Sequence, residues 1–111
     1  MAAELSLEAL REEIDKIDEV IVRLLDRRAR CAYSIGRLKK EQGATIYEPQ
    51  REAAVMAHIK QVNAMLGGPL DEGAIGRLYE RIMDEARRIQ RIEAKHDPEP
   101  EPTPDDLIER E

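Results

Sequence analysis

The sequence predicts an all-α fold: three helices per chain, the first of them very long, with two chains wrapped together. Three observations carry this. From Leu7 to Leu38, apolar residues recur at seven-residue spacing in two rows: Leu7, Ile14, Ile21, Arg28, Ile35 and Leu10, Ile17, Leu24, Cys31, Leu38. A seam of that period marks a helix with helical company along its length. There is no Trp or Phe among the 111 residues. The core must therefore come from Leu, Ile, Val, Met and Ala, which suits helices. Finally, stop signals at Gly43 and at Gly67-Gly68-Pro69 divide the chain into three apolar-periodic segments.

The first helix is expected from Leu7 to Gln42. Ser6 suits its N-cap, Glu8 its first turn and Gly43 the left-handed stop. At ~1.5 Å per residue such a helix is roughly 54 Å long, whereas a compact domain of this size has a radius of gyration near ~13 Å. The helix would project beyond a compact monomer, and a second copy is the simplest company for it. A loop spans Gly43 to Glu48, and Pro49 suits the first position of helix 2. The stripe of helix 2 is Val55, Ile59, Val62 and Leu66. Asp71 suits the N-cap of helix 3, whose stripe is Ile75, Leu78, Tyr79, Ile82, Ala86 and Ile89. Gly73 and Gly76 weaken its first turn or permit close packing. Met56, Met65 and Met83 read as core filler. Helix 3 should fade near Lys95, giving a helical domain over 1–95. From His96 the chain is acidic and Pro-rich, so 96–111 is expected to be an extended, disordered tail.

The formal charge of −6 sits in that tail. Residues 1–95 hold 17 acidic and 17 basic side chains, while 96–111 holds seven acids against Arg110. A neutral, mixed-sign domain weighs slightly against nucleic acid or an anionic membrane as partner. The single Cys31 lies on the seam and reads as a small buried residue. It can form no intrachain disulfide, and no Cys/His metal set is present. The N-terminus carries no apolar signal segment and no run approaches 18 apolar residues, so a cytoplasmic protein is expected.

Arg28 breaks the seam. A guanidinium cannot lose its charge, and burying it unpaired costs several kcal/mol. It has either a built-in ion-pair partner or an anionic ligand. Lys39 lies eleven residues on, about 20° round the helix and ~16 Å along it, so the two side chains can lean onto one small anion. Arg11 is ~25 Å from Arg28 and reaches such a ligand only from a partner chain. Taken singly, Arg11 and Lys39 also fit ordinary solvent-facing charges. Glu52 falls on the stripe of helix 2, in its first turn, where the helix dipole favours a carboxylate. Its simplest role is to pair with Arg51 or Arg28. Gln90, one turn after Ala86, offers a neutral amide near the end of the helix 3 stripe. No nucleophile–base pair or phosphate loop is visible, and His58 and His96 are isolated. Such a cationic pocket with a carboxylate and an amide suits binding a dianion and stabilising charge separation, without covalent chemistry or proton transfer.

The ordered motifs Leu-Arg-Glu-Glu-Ile-Asp (10–15), Ile-Asp-Glu (17–19), Leu-Leu-Asp-Arg-Arg (24–28), Ile-Gly-Arg-Leu-Lys (35–39) and Tyr-Glu-Pro-Gln-Arg-Glu (47–52) resemble the all-helical, AroQ-type chorismate mutases. The resemblance covers about residues 5–93. It implies an intertwined homodimer of three-helix chains that rearranges chorismate to prephenate in phenylalanine and tyrosine biosynthesis, with no cofactor. By position, Arg11 resembles the arginine donated in trans to one substrate carboxylate, and Arg28 the one that grips the other. Lys39 and Gln90 resemble the pair at the ether oxygen. Glu52 resembles the carboxylate facing the ring hydroxyl and allylic region, and Arg51 an arginine that lines or braces the site. Glu48 stands where many members have Asp, and Ala86 where some have Ser. Isochorismate-pyruvate lyases share the fold but lack the glutamate after the helix 2 arginine, so Glu52 favours the mutase. A mutase acting on aminodeoxychorismate is a substrate variant, and a non-catalytic helical dimer with Arg28 in a salt bridge is a third reading.

Overall fold

The structure, a computed structural model, describes residues 6–95 and contains three helices in the order α1 (Leu7–Gln42), α2 (Pro49–Leu66) and α3 (Glu72–Lys95). The expected tail, 96–111, lies outside the described residues. The helix boundaries from Ser6 to Asp71 have local causes. Ser6 Oγ accepts from the Ala9 N–H at 3.0 Å and caps α1. At the other end Gly43 adopts φ 66°. Its N–H donates to the Lys40 carbonyl at 3.3 Å while the Ala44 N–H donates to that of Lys39 at 2.8 Å, the paired bonds of a Schellman stop. Pro49 opens α2, and Gly67 closes it at φ 62°. Asp71 Oδ1 accepts from the Ala74 N–H at 2.7 Å and caps α3. Asn63 Nδ2 donates to the Leu70 carbonyl at 2.9 Å and ties down the α2–α3 turn.

Helix α3 lies between the other two, packing on the C-terminal half of α1 and on α2. Gly36 sets the α1–α3 approach. A Cβ at that position would stand 2.9 Å from Gln90 Cα and 3.1 Å from the Gln90 carbonyl oxygen, so the two backbones touch there. Gly76 is buried, and a Cβ on it would meet Lys60 Cε at 3.3 Å, so this glycine also marks a close helix contact.

The molecule is elongated, 56 × 30 × 19 Å with a radius of gyration of 17.4 Å. Its long axis matches the length of α1. From Ser6 to Asp26 every residue of the single chain is exposed. Nine of the ten seam residues are exposed as well, and Arg28 alone is half-buried. The face that α1 turns to α3 is a different one, containing Ala32 and Gly36. Cys31, expected to be buried, is therefore exposed in the chain by itself. Met83 is core as expected, but Met65, at the end of α2, is 79% exposed. Among the described residues Ala32 and Met83 are the only buried hydrophobics. That core is far too small for a domain whose folding entropy must be offset by burial.

Candidate active site

A cleft of about 430 Å³ opens where α1, the α1–α2 loop, α2 and α3 converge. That volume falls within the range of small-molecule sites. Seven of the eight residues singled out in the sequence line it: Arg28 and Lys39 from α1, Glu48 from the loop, Arg51 and Glu52 from α2, and Ala86 and Gln90 from α3. Arg11 is the exception. It lies on the exposed N-terminal stretch of α1 and is not part of the cleft.

Lys39 is the most connected group. Its Nζ donates to the Ile46 carbonyl at 2.7 Å and to Gln90 Oε1 at 3.3 Å, and pairs with Glu48 Oε1 at 2.8 Å. An ammonium has three donors, so all three are engaged. The Lys39 side chain is 12% exposed, and Gln90 is buried. The close approach at Gly36 is what brings the amide of Gln90 within reach of a lysine one turn further along α1.

Arg28 has no carboxylate partner among the described residues. Its guanidinium lies over the Tyr79 ring, 5.8 Å from the centroid, where a cation–π contact fixes its position without neutralising its charge. The alternative of a built-in ion pair is thus not what the single chain contains. Arg51 likewise has no ion-pair partner among the described residues.

Glu52 pairs with neither Arg51 nor Arg28. Its partner is Arg87 of α3, a residue the sequence reading passed over. Arg87 also pairs with Asp84 and lies over the Tyr47 ring at 5.7 Å. The hydrogen bond to Glu52 raises the Arg87 guanidinium further above its already high range; burial opposes the shift and the charges of Glu52 and Asp84 support it. A signal for Arg87 was present. It falls four residues after Met83 and three before Gln90, on the same face of α3.

The cleft therefore contains four cations, Arg28, Lys39, Arg51 and Arg87, against two carboxylates, Glu48 and Glu52, a net charge of +2. Lys39 pairs with Glu48, and Arg87 with Glu52 and, outside the cleft, with Asp84, so Arg28 and Arg51 have no carboxylate partner among the described residues. Bidentate binding of a carboxylate is the strongest interaction such guanidiniums can make. Among the described residues no group of three His, Cys, Asp or Glu converges to hold a metal ion, and no helix is long and apolar enough to cross a membrane.

The fold and the cleft define an all-helical protein with a net-positive cleft of small-molecule size. Comparison with known proteins makes the class specific. The family model described as chorismate mutase type II matches residues 10–91, and the chain belongs to that family. A bifunctional chorismate mutase/prephenate dehydratase of Pseudomonas aeruginosa is 38% identical over 95 residues, covering 81% of this chain and 25% of the relative. A protein of the same name from Stutzerimonas stutzeri is 40% identical over 89 residues, covering 76% of this chain and 24% of its own. The T-protein of Enterobacter agglomerans is 36% identical over 86 residues, covering 78% and 22%. The chain spans about a quarter of the length of these curated relatives.

Proposed function

We propose that this chain is a chorismate mutase that works as a homodimer, each cleft completed by Arg11 of the partner subunit. The observation that carries the proposal is the charge of the cleft. It has a +2 balance with Arg28 and Arg51 unpaired among the described residues, and Lys39 and Gln90 meet on its wall at 3.3 Å. Chorismate is a dianion of two carboxylates joined through an ether, and it matches that arrangement group for group.

The rearrangement is a concerted [3,3] shift. The ether C–O bond breaks ahead of C–C bond formation, so negative charge grows on the ether oxygen and positive charge on the ring. Arg28 and the partner's Arg11 hold the carboxylates and select the compact, diaxial chair, which lowers the entropic barrier. Lys39 and Gln90 stabilise the ether oxygen. In the free chain the bond between them, at 3.3 Å, is the longest that Lys39 makes. It is the contact an incoming oxygen replaces most cheaply, after which the amide turns its N–H to the same atom. Glu52 faces the ring, where its charge favours the developing cation. Glu48 keeps a carboxylate near the ring hydroxyl and also holds Lys39. Arg51 lines the same wall, and Ala86 leaves room beside it.

Dimerisation is supported by the uncovered seam. Leu7, Leu10, Ile14, Ile17, Ile21 and Leu24 are 46–65% exposed. Fully burying a Leu or Ile is worth ~1.5–3 kcal/mol, so covering the exposed half of six contributes on the order of 5 kcal/mol per chain. That rivals the whole stability of a small domain. Antiparallel pairing about a two-fold near Val20 returns the partner's Arg11 toward Arg28. Incubating the purified protein with chorismate and with isochorismate separately tests the assignment. Prephenate from chorismate is the expected result. Salicylate from isochorismate as the main activity would overturn it.

A further inference from the structure

We infer that Arg87 is a positioning residue: it partly offsets the charge of Glu52 and fixes its carboxylate, so that a dianionic substrate can enter a cleft that contains an acidic side chain. The inference rests on the mutase reading of the cleft. It addresses a conflict that reading contains. A site for a dianion should not present uncompensated carboxylates, because like charges at contact distance in a partly desolvated cleft repel strongly enough to weaken binding about tenfold or more. Glu48 meets this condition through Lys39 at 2.8 Å. Glu52 has no such partner on α1 or in its own helix. The charged and titratable groups around the cleft are Arg28, Cys31 and Lys39 from α1, Glu48 from the loop, Arg51 from α2 and Arg87 from α3. Only Arg87 bonds to Glu52 among the described residues.

Arg87 is itself held on two further sides. Asp84, one turn back on α3, takes its other terminal nitrogen, and the Tyr47 ring from the α1–α2 loop lies against its guanidinium. The Glu52 and Arg87 side chains are 23% and 22% exposed, so both partners are largely withdrawn from solvent. The pairing joins α2, α3 and the loop at the point where Glu52 meets the cleft. With both terminal nitrogens and one face of its guanidinium occupied, Arg87 is arranged to hold Glu52 rather than to bind substrate.

The test is a double-mutant cycle in the full chain. Chorismate turnover by the wild type is measured first, and its absence would sink the mutase reading irrespective of Arg87. Arg87→Met keeps the length and apolar stem of the side chain while removing its charge. Its KM for chorismate should rise about tenfold or more, from the repulsion of an uncompensated Glu52. In the Arg87→Met/Glu52→Gln double variant the repelling charge is gone, so KM should return toward that of Glu52→Gln alone. A Glu52–Arg87 pair that serves only folding gives no such rescue. Circular dichroism with thermal unfolding of each variant separates lost fold from lost binding, and Arg87→Lys provides a second variant that retains the charge and should show the smallest rise in KM. The inference is overturned if Arg87→Met binds chorismate like the wild type. It is also overturned if the KM increase is equally large with Glu52→Gln present, since Arg87 would then be gripping the substrate directly.

Discussion

Replacing Gly36 with alanine is the sharpest small perturbation of the site. The added Cβ stands 2.9 Å from Gln90 Cα, 3.1 Å from its carbonyl oxygen and 3.3 Å from its Cβ. Two of these atoms are backbone, which no rotamer change can move. Relaxed carbon contacts lie at ~3.5–4.0 Å, so α1 and α3 must part by about 0.6–1 Å. The Lys39–Gln90 bond is already 3.3 Å long and would stretch to ~4 Å, beyond hydrogen-bonding range. For stability, overpacking costs ~1–3 kcal/mol, while the helix preference of alanine over glycine returns ~1 kcal/mol. The net loss is therefore about 0–2 kcal/mol, and the variant should fold. For catalysis, removing one preorganised donor from a developing oxyanion lowers kcat by roughly 10²–10³. The expected outcome is a kcat for chorismate down by about two orders of magnitude with KM little changed, because the carboxylate-binding Arg28 is elsewhere on the wall. Steady-state kinetics beside thermal unfolding separates the two effects. Gly76→Ala is the control: its Cβ would meet only side-chain atoms, Cε of Lys60 at 3.3 Å and, at ordinary contact distance, Nζ of Lys60 and Sδ of Met56, and it should retain wild-type kcat. A well-folded Gly36→Ala protein with wild-type kcat would refute the claim that this contact places Gln90.

Other outcomes follow from the same geometry. Arg28→Met should fold at least as well as the wild type, because it removes a half-buried charge with no carboxylate partner among the described residues. Its kcat/KM should fall by roughly 10²–10³, the usual cost of truncating one side of a desolvated charge pair, as read by initial rates. Lys39→Met should lower kcat by a larger factor than it raises KM, and it also frees Glu48, so the Lys39→Met/Glu48→Gln double variant should have a lower KM than Lys39→Met alone. Ile17→Glu places a charge on the uncovered seam. Sedimentation should find this variant monomeric, with much of its helical circular dichroism lost at room temperature.

The helices were legible because their punctuation is local. Ser6, Gly43, Pro49, Gly67 and Asp71 each act through backbone groups within four residues, and those distances do not depend on tertiary context. The heptad seam was legible too, though no described element of the chain covers it. It is a face that α1 turns away from α3, so Cys31 and Leu38 are exposed where a sequence pattern alone implies burial. The cleft could be read wherever a charge broke an apolar pattern, as at Arg28 and Glu52. Arg87 broke none. It sits beside Arg88 in a charged stretch, and the stripe of α3 was traced through Ile82, Ala86 and Ile89 instead. Gly36 was visible as the sole interior glycine of α1, but its meeting with the Gln90 backbone depends on how two helices cross, which spacing cannot supply.

The central claim is that each site is built by two chains, and mixed dimers test it most directly. Arg11→Ala and Arg28→Met should each be nearly inactive alone. Refolded together in equal amounts, half of the dimers should be mixed. Each mixed dimer contains one site with an intact Arg28 and an intact Arg11 from its partner, so about a quarter of wild-type activity should return. Recovery to that level supports the account. A mixture as inactive as its components, or an Arg11→Ala protein with wild-type turnover, would contradict it.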